Sequence, residues 1–150
     1  MSALIEILFA TVGTLGFAFV FNIRGKKIVF AALGGMLSWV LYLTLGFFLK
    51  DETLRYLIVS VTISVYAEIL ARLLKTPTTV FSIISLIPLI PGGSLYYTMT
   101  GAFSGDTLSF MGNGIRTLKL AAALSIGIVL VSTTTVYVKK HWHYKKQKKA

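Results

Sequence analysis

Leu86-Ile87-Pro88-Leu89-Ile90-Pro91-Gly92-Gly93-Ser94-Leu95-Tyr96-Tyr97 lies inside a run apolar enough for a bilayer, yet it carries two prolines and a double glycine. A plain membrane anchor has no use for that combination. Pro88 and Pro91 lack amide hydrogens and crowd the carbonyls of Ile84 and Ile87, while Gly92 and Gly93 let the chain leave the α region cheaply. The stretch predicts a broken helix between Pro88 and Gly93. In hydrocarbon each freed backbone group costs several kcal/mol unless protein, water or a ligand satisfies it, so irregular backbone at depth belongs in a protein-lined cavity. A substrate or ion path is a natural reason to keep one.

The composition surrounding this stretch supports a membrane setting. The 150 residues are 55% hydrophobic and 13% charged, with a mean hydropathy of +0.79, which excludes an ordinary soluble domain. Hydrophilic gaps never exceed roughly 17 residues, too few for a separate soluble domain of at least about 50. The fold expected is an all-α polytopic membrane helix bundle of five transmembrane spans over residues 1–138, with a basic tail over 139–150. The absence of cysteine excludes disulfides, thiolate metal sites and a cysteine nucleophile. A net charge of +10 would suggest nucleic acid in a soluble chain, but here the basic residues cluster at span ends and in the tail.

Spans are expected at residues 3–21, 28–49, 54–74, 77–100 with the break inside, and 115–138, each long enough for a core of about 30 Å. The first lacks a basic leader and an Ala-x-Ala site, so it reads as a retained span. Glu6, Ala10, Thr14 and Ala18 recur every fourth residue as a stripe for close packing, with Glu6 either an interfacial carboxylate or a transport group. Ala31, Gly34, Gly35 and Ser38 give the second span its own small positions, and Trp39 and Tyr42 should fill space between helices. Tyr56, Ser60, Ser64 and Glu68 form a polar stripe on the third span that should face the bundle. Arg72 stands one turn beyond Glu68 and pairs with it in the favourable order. That carboxylate is either half of a structural ion pair or a coupling group for protons or substrate.

The break begins about 11 residues after Pro77, roughly 16 Å into the core and near its midplane. A second half-helix over 94–100, with Ser94 as N-cap, would aim free amides and the positive end of its dipole at the break, a seat for a carboxylate. A proline kink healed by neighbouring helices is the plainer alternative. Glycine-rich residues 101–114 read as a flexible connection. Near it, Arg116 with Asn113 and Thr117 is either an interfacial arginine or the counter-charge for an anionic substrate.

The tail interleaves six lysines with His141, Trp142, His143 and Tyr144, which suits anionic lipid headgroups. Eleven of the fifteen Lys and Arg residues fall on the side of the tail and four on the other, which puts the C-terminus in the cytoplasm and the N-terminus outside. An enzyme is not expected. Both histidines are in the tail, and the spans hold no His/Asp/Glu cluster for acid–base or metal work. No metal and no cofactor are therefore expected.

The segment Pro88-Leu89-Ile90-Pro91-Gly92-Gly93-Ser94-Leu95-Tyr96, preceded by Gly16-Phe17-Ala18-Phe19-Val20-Phe21-Asn22, resembles the threonine/serine exporter family over nearly the whole chain. More closely, the chain resembles the small five-helix subunit of that family's split two-chain form (YjjB-like). The resemblance implies a bacterial cytoplasmic membrane protein and a larger partner subunit of the same family. It also implies export of threonine and serine, or of a short dicarboxylate such as succinate. Within a half-transporter of this kind Gly92, Gly93 and Ser94 would offer amides, Tyr97 would line the path, and Asn113 and Arg116 would hold a carboxylate. A homo-oligomer is open as well, and so is a structural or assembly subunit whose partner binds all the substrate.

Overall fold

The computed structural model describes the backbone of residues 2–147 and the side chains as far as Val138. The tail side chains, with their lysines, His141 and His143, lie outside the described residues. All regular structure among the described residues is helical: α1 (Ala3–Val20), α2 (Lys26–Phe48), α3 (Glu52–Leu73), α4 (Thr78–Leu86), a 3-10 turn (Ile87–Leu89), α5 (Gly92–Ser104) and α6 (Thr107–Gln147). By length and composition α1, α2, α3 and residues 107–138 of α6 can each cross a membrane. The pair Thr78–Leu89 and Gly92–Ser104 passes the same test when taken together and is bent by 59°, which makes four crossings, or five where the bent pair counts as one broken span.

Local chemistry sets the boundaries. Asp51 caps α3 by accepting from the amides of Thr53 and Leu54. Asn22 and Lys75, with φ of 55° and 46°, close α1 and α3 in the left-handed region. Gly105, at φ 73°, ends α5, and the chain enters α6 directly. The flexible connection expected over 101–114 is therefore not there. Only Gly105 and Asp106 separate the two helices, Gly112 and Gly114 lie within α6, and Gly101 of α5 lets the two helices close on each other, since a Cβ there would strike the Phe110 backbone.

Small residues decide which helices touch. Gly34 and Gly35 are adjacent, about 100° apart around α2, so they face different neighbours. A side chain on Gly34 would strike Ser85 of α4 and Tyr66 of α3, and one on Gly35 would strike Thr14 of α1. Thr14 and Ala18 are fully buried in that seam, as the four-residue stripe predicts. Gly127 of α6 sits equally close to Ser60 of α3. α3 and α6 run parallel, since Glu52 meets Arg116 while Ser60 meets Ala123 and Gly127 further along both. Tyr56, Ser60 and Ser64 are buried, so the polar stripe of α3 does face the bundle.

The core has two centres. One gathers Ala18, Ala31, Ala67, Phe81 and Ile84 around α1–α4. The other gathers Tyr56, Val59, Ile63, Leu86, Leu89, Leu120 and Ala123 between α3, α6 and the break. Trp39 and Tyr42 wall this second centre, with ring centroids 5.3 Å apart and Tyr42 edge-on to Tyr56 at 5.4 Å.

α5 packs along α6 rather than on α1, α2, α3 or α4. Arg116 stands level with Glu52 at the start of α3, so the nine α6 residues before it overhang the bundle by about 14 Å. The hairpin so formed is apolar on its outside, with Phe103 and Leu108 each 86% exposed and Tyr96, Met99 and Met111 more than half exposed.

Candidate functional site

The break is made by Pro91 more than by Pro88. The residue before a proline is driven towards extended backbone, and Ile90 obeys, with ψ 125°. Ile87, before Pro88, stays helical at φ −51° and ψ −44°, so Pro88 merely tightens the chain into the 3-10 turn. The carbonyls that the prolines rob of their usual donors are taken up locally: Ile87 N–H donates to Ile84, and Ile90 N–H to Ile87 at 3.1 Å. Gly92 N–H turns back to the carbonyl of Ile90 at 2.6 Å.

Gly92 and Gly93 play a different part from the one their sequence suggests. Neither has a positive φ, both lie in the first turn of α5, and a Cβ on either would meet nothing within 4 Å. They are not hinges. They leave the start of α5 exposed, with the N–H groups of Gly93 and Ser94 finding no acceptor among the described residues.

Ser94 is not the N-cap. That position is Pro91, and Ser94 is the third helical residue, its buried hydroxyl donating to the Pro91 carbonyl at 3.1 Å. Thr117 Oγ1 lies 3.0 Å from Ser94 Oγ and 2.8 Å from the carbonyl of Asn113, which ties the start of α5 to α6. Leu86 and Leu89, on either side of Pro88, are buried in the core centre that Tyr56, Val59 and Ile63 of α3 share with Leu120 and Ala123 of α6.

The predicted site residues fall into three groups. Gly92, Gly93 and Ser94 share the start of α5. Tyr97 and Asn113 share a cleft of 140 Å³ between α5 and α6 with Asp106 and Ser109, and Asn113 Nδ2 is engaged by the Ser109 carbonyl at 3.0 Å. Arg116 belongs to a third group, held by Glu52: Nε donates to Oε2 at 2.8 Å and a terminal nitrogen to Oε1 at 3.0 Å. Tyr42 donates to the same carboxylate at 3.2 Å, and the Arg55 guanidinium stands 4.9 Å over the Tyr42 ring.

Sequence reasoning passes over Glu52, which lies in the polar turn between the second and third spans, 64 positions from its partner. At the other end of the bundle Glu68 meets Arg72 at 3.8 Å and accepts from Thr78 at 3.1 Å, so the carboxylate clasps α3 to the start of α4. No cluster of metal-ligating side chains occurs among the described residues.

No solved structure matches the chain. The family model described as Threonine/Serine exporter, ThrE, matches residues 6–134, which takes in every crossing and the whole of the break. This multi-pass helical membrane protein belongs to the threonine/serine exporter family.

Proposed function

We propose that the chain is one subunit of a secondary transporter that exports small carboxylate-bearing metabolites, threonine and serine or a short dicarboxylate such as succinate, together with a larger subunit of the same family. The observation that carries the reading is the pair of unanswered amides, Gly93 and Ser94, at the positive end of α5 beside the break. A substrate carboxylate accepts from them, Tyr97 lines its path, and Arg116 changes partner from Glu52 to the substrate as the carrier cycles. The overhanging α5–α6 hairpin, apolar on its outside, supports a protein partner rather than an isolated chain. The lysine-rich tail faces the cytoplasm and its anionic lipids, and the N-terminus faces outside.

Counterflow in lipid vesicles tests this, with the chain alone and with its larger partner, against threonine, serine and succinate. Counterflow is expected only when both subunits are present. Gly92→Leu with Gly93→Leu fills open space, so the complex should assemble while counterflow falls at least about tenfold, the loss expected when charge-assisted hydrogen bonds are blocked. Undiminished counterflow from that assembled variant would instead favour a scaffold subunit whose partner holds all the substrate.

A further inference from the structure

A second hollow opens at the break, 270 Å³ in volume, walled by Glu6, Phe9 and Ala10 of α1, Trp39 of α2 and Pro88. It is slightly smaller than the roughly 300–1,000 Å³ of sites for drug-sized ligands, a size that suits a solute of a few heavy atoms. Glu6 is its one ionisable wall. Among the described residues no cation or donor side chain reaches that carboxylate, whereas Glu52 and Glu68 each have an arginine. Glu6 lies in the first turn of α1, on the packing stripe it shares with Thr14 and Ala18. A half-buried acidic group beside apolar walls favours a cationic visitor more than it would in bulk solvent.

The aromatic walls strengthen the same preference. The faces of Trp39 and Phe9 attract cations through their ring quadrupoles. Trp39 also carries an indole N–H that is shielded from solvent and has no acceptor among the described residues, a donor that suits the carboxylate end of a zwitterion and not its ammonium. A carboxylate flanked by aromatic rings is a receptor for a primary ammonium and repels a dianion.

We propose that the hollow between Glu6, Trp39 and Pro88 binds the ammonium group of a small amino acid and so makes the chain select zwitterions over dicarboxylates. The assignment rests on the transport reading above for its purpose, but its binding test does not. The full chain carrying Trp142→Phe keeps Trp39 as its sole tryptophan. In detergent or nanodiscs its emission should change saturably with L-threonine and stay unmoved by succinate and by N-acetyl-L-threonine, which keeps the carboxylate and hydroxyl but not the charge. Glu6→Gln should weaken threonine binding about tenfold or more, and Glu6→Asp should retain part of it. The comparison of threonine with its acetylated form needs no substitution in the hollow, only the Trp142→Phe change in the tail. The proposal is overturned if succinate or N-acetyl-L-threonine titrates Trp39 as threonine does, if no solute does, or if Glu6→Gln binds threonine as the parent does. Loss of counterflow from both subunits together, with threonine still titrating Trp39, would remove the transport reading and leave this site standing.

Discussion

Arg116 of α6 grips Glu52 of α3 with two nitrogens on two oxygens, at 2.8 and 3.0 Å, and this clasp fixes the level at which the long last helix passes the bundle. The pair is partly exposed, with 23% of the Glu52 side chain and 56% of the Arg116 side chain open, so its share of stability is small, within about 1 kcal/mol. On the proposed role of Arg116 its effect on binding is larger. Glu52→Gln should free the guanidinium and tighten carboxylate binding by about three- to tenfold, while Arg116→Ala should abolish that gain in the double variant. Binding isotherms for the two single variants and the double variant decide it. Equal affinity in all three would remove Arg116 from substrate contact.

Pro91 sets the 59° bend through its effect on Ile90. Pro91→Ala relieves that restriction and restores an amide, so α4 and α5 should move towards one continuous helix, favoured by about 3 kcal/mol relative to a proline in a helix interior. Pro88→Ala should change the angle much less. Spin-label distances between positions 79 and 103 would lengthen in the first variant only, and a bend unchanged by Pro91→Ala would show that tertiary packing holds it instead.

Gly127 allows α6 to lie against Ser60 without room for a methyl group. Gly127→Ala should destabilise the bundle by about 1–3 kcal/mol through overpacking. Ser60→Gly in the same chain should return most of that loss, because it removes both the hydroxyl and the Cβ that the new methyl meets. Thermal unfolding in detergent gives the comparison, and purely additive losses would contradict the contact.

Asp106, between α5 and α6, accepts hydrogen bonds from the Ser109 side chain and then from the Ser109 and Leu108 amides, which hold its carboxyl below the usual aspartate range. A depressed native value means the cap contributes fully above the ordinary aspartate range and is lost as pH falls through the lowered one. Amide protection at Ser109, whose N–H lies 3.1 Å from Oδ1, should therefore decline at acid pH in the parent chain. Asp106→Asn, an equally good cap without a titrating proton, should keep it. Matching acid profiles for the two would assign the loss to some other group.

Much of the architecture was readable in advance because membrane helices announce themselves by length and apolarity. The starts and ends of α1, α2 and α3 fall within a few residues of the spans expected, and the Thr14–Ala18 stripe packs as its spacing requires. The proline pair also marked a real break. What failed was the reading of glycine as a sign of loop. Gly92, Gly93, Gly112 and Gly114 all sit in helices, because in this setting a missing side chain serves approach or exposure rather than flexibility. The Glu52–Arg116 clasp and the hollow at Glu6 were beyond reach for a different reason. Each joins residues on helices whose facing sides depend on packing, and no local spacing relates Glu52 to Arg116, or Glu6 to Trp39 and Pro88.

The overhanging hairpin has a practical corollary for anyone handling the protein. Its greasy ridge, capped by Phe103 and Leu108, stands beyond the level at which Arg116 meets Glu52. A chain made without whatever sheathes that ridge would clump, or recruit excess detergent, at one pole only. If the proposed partner covers that ridge, behaviour on a sizing column would register its absence before any assay of solute movement.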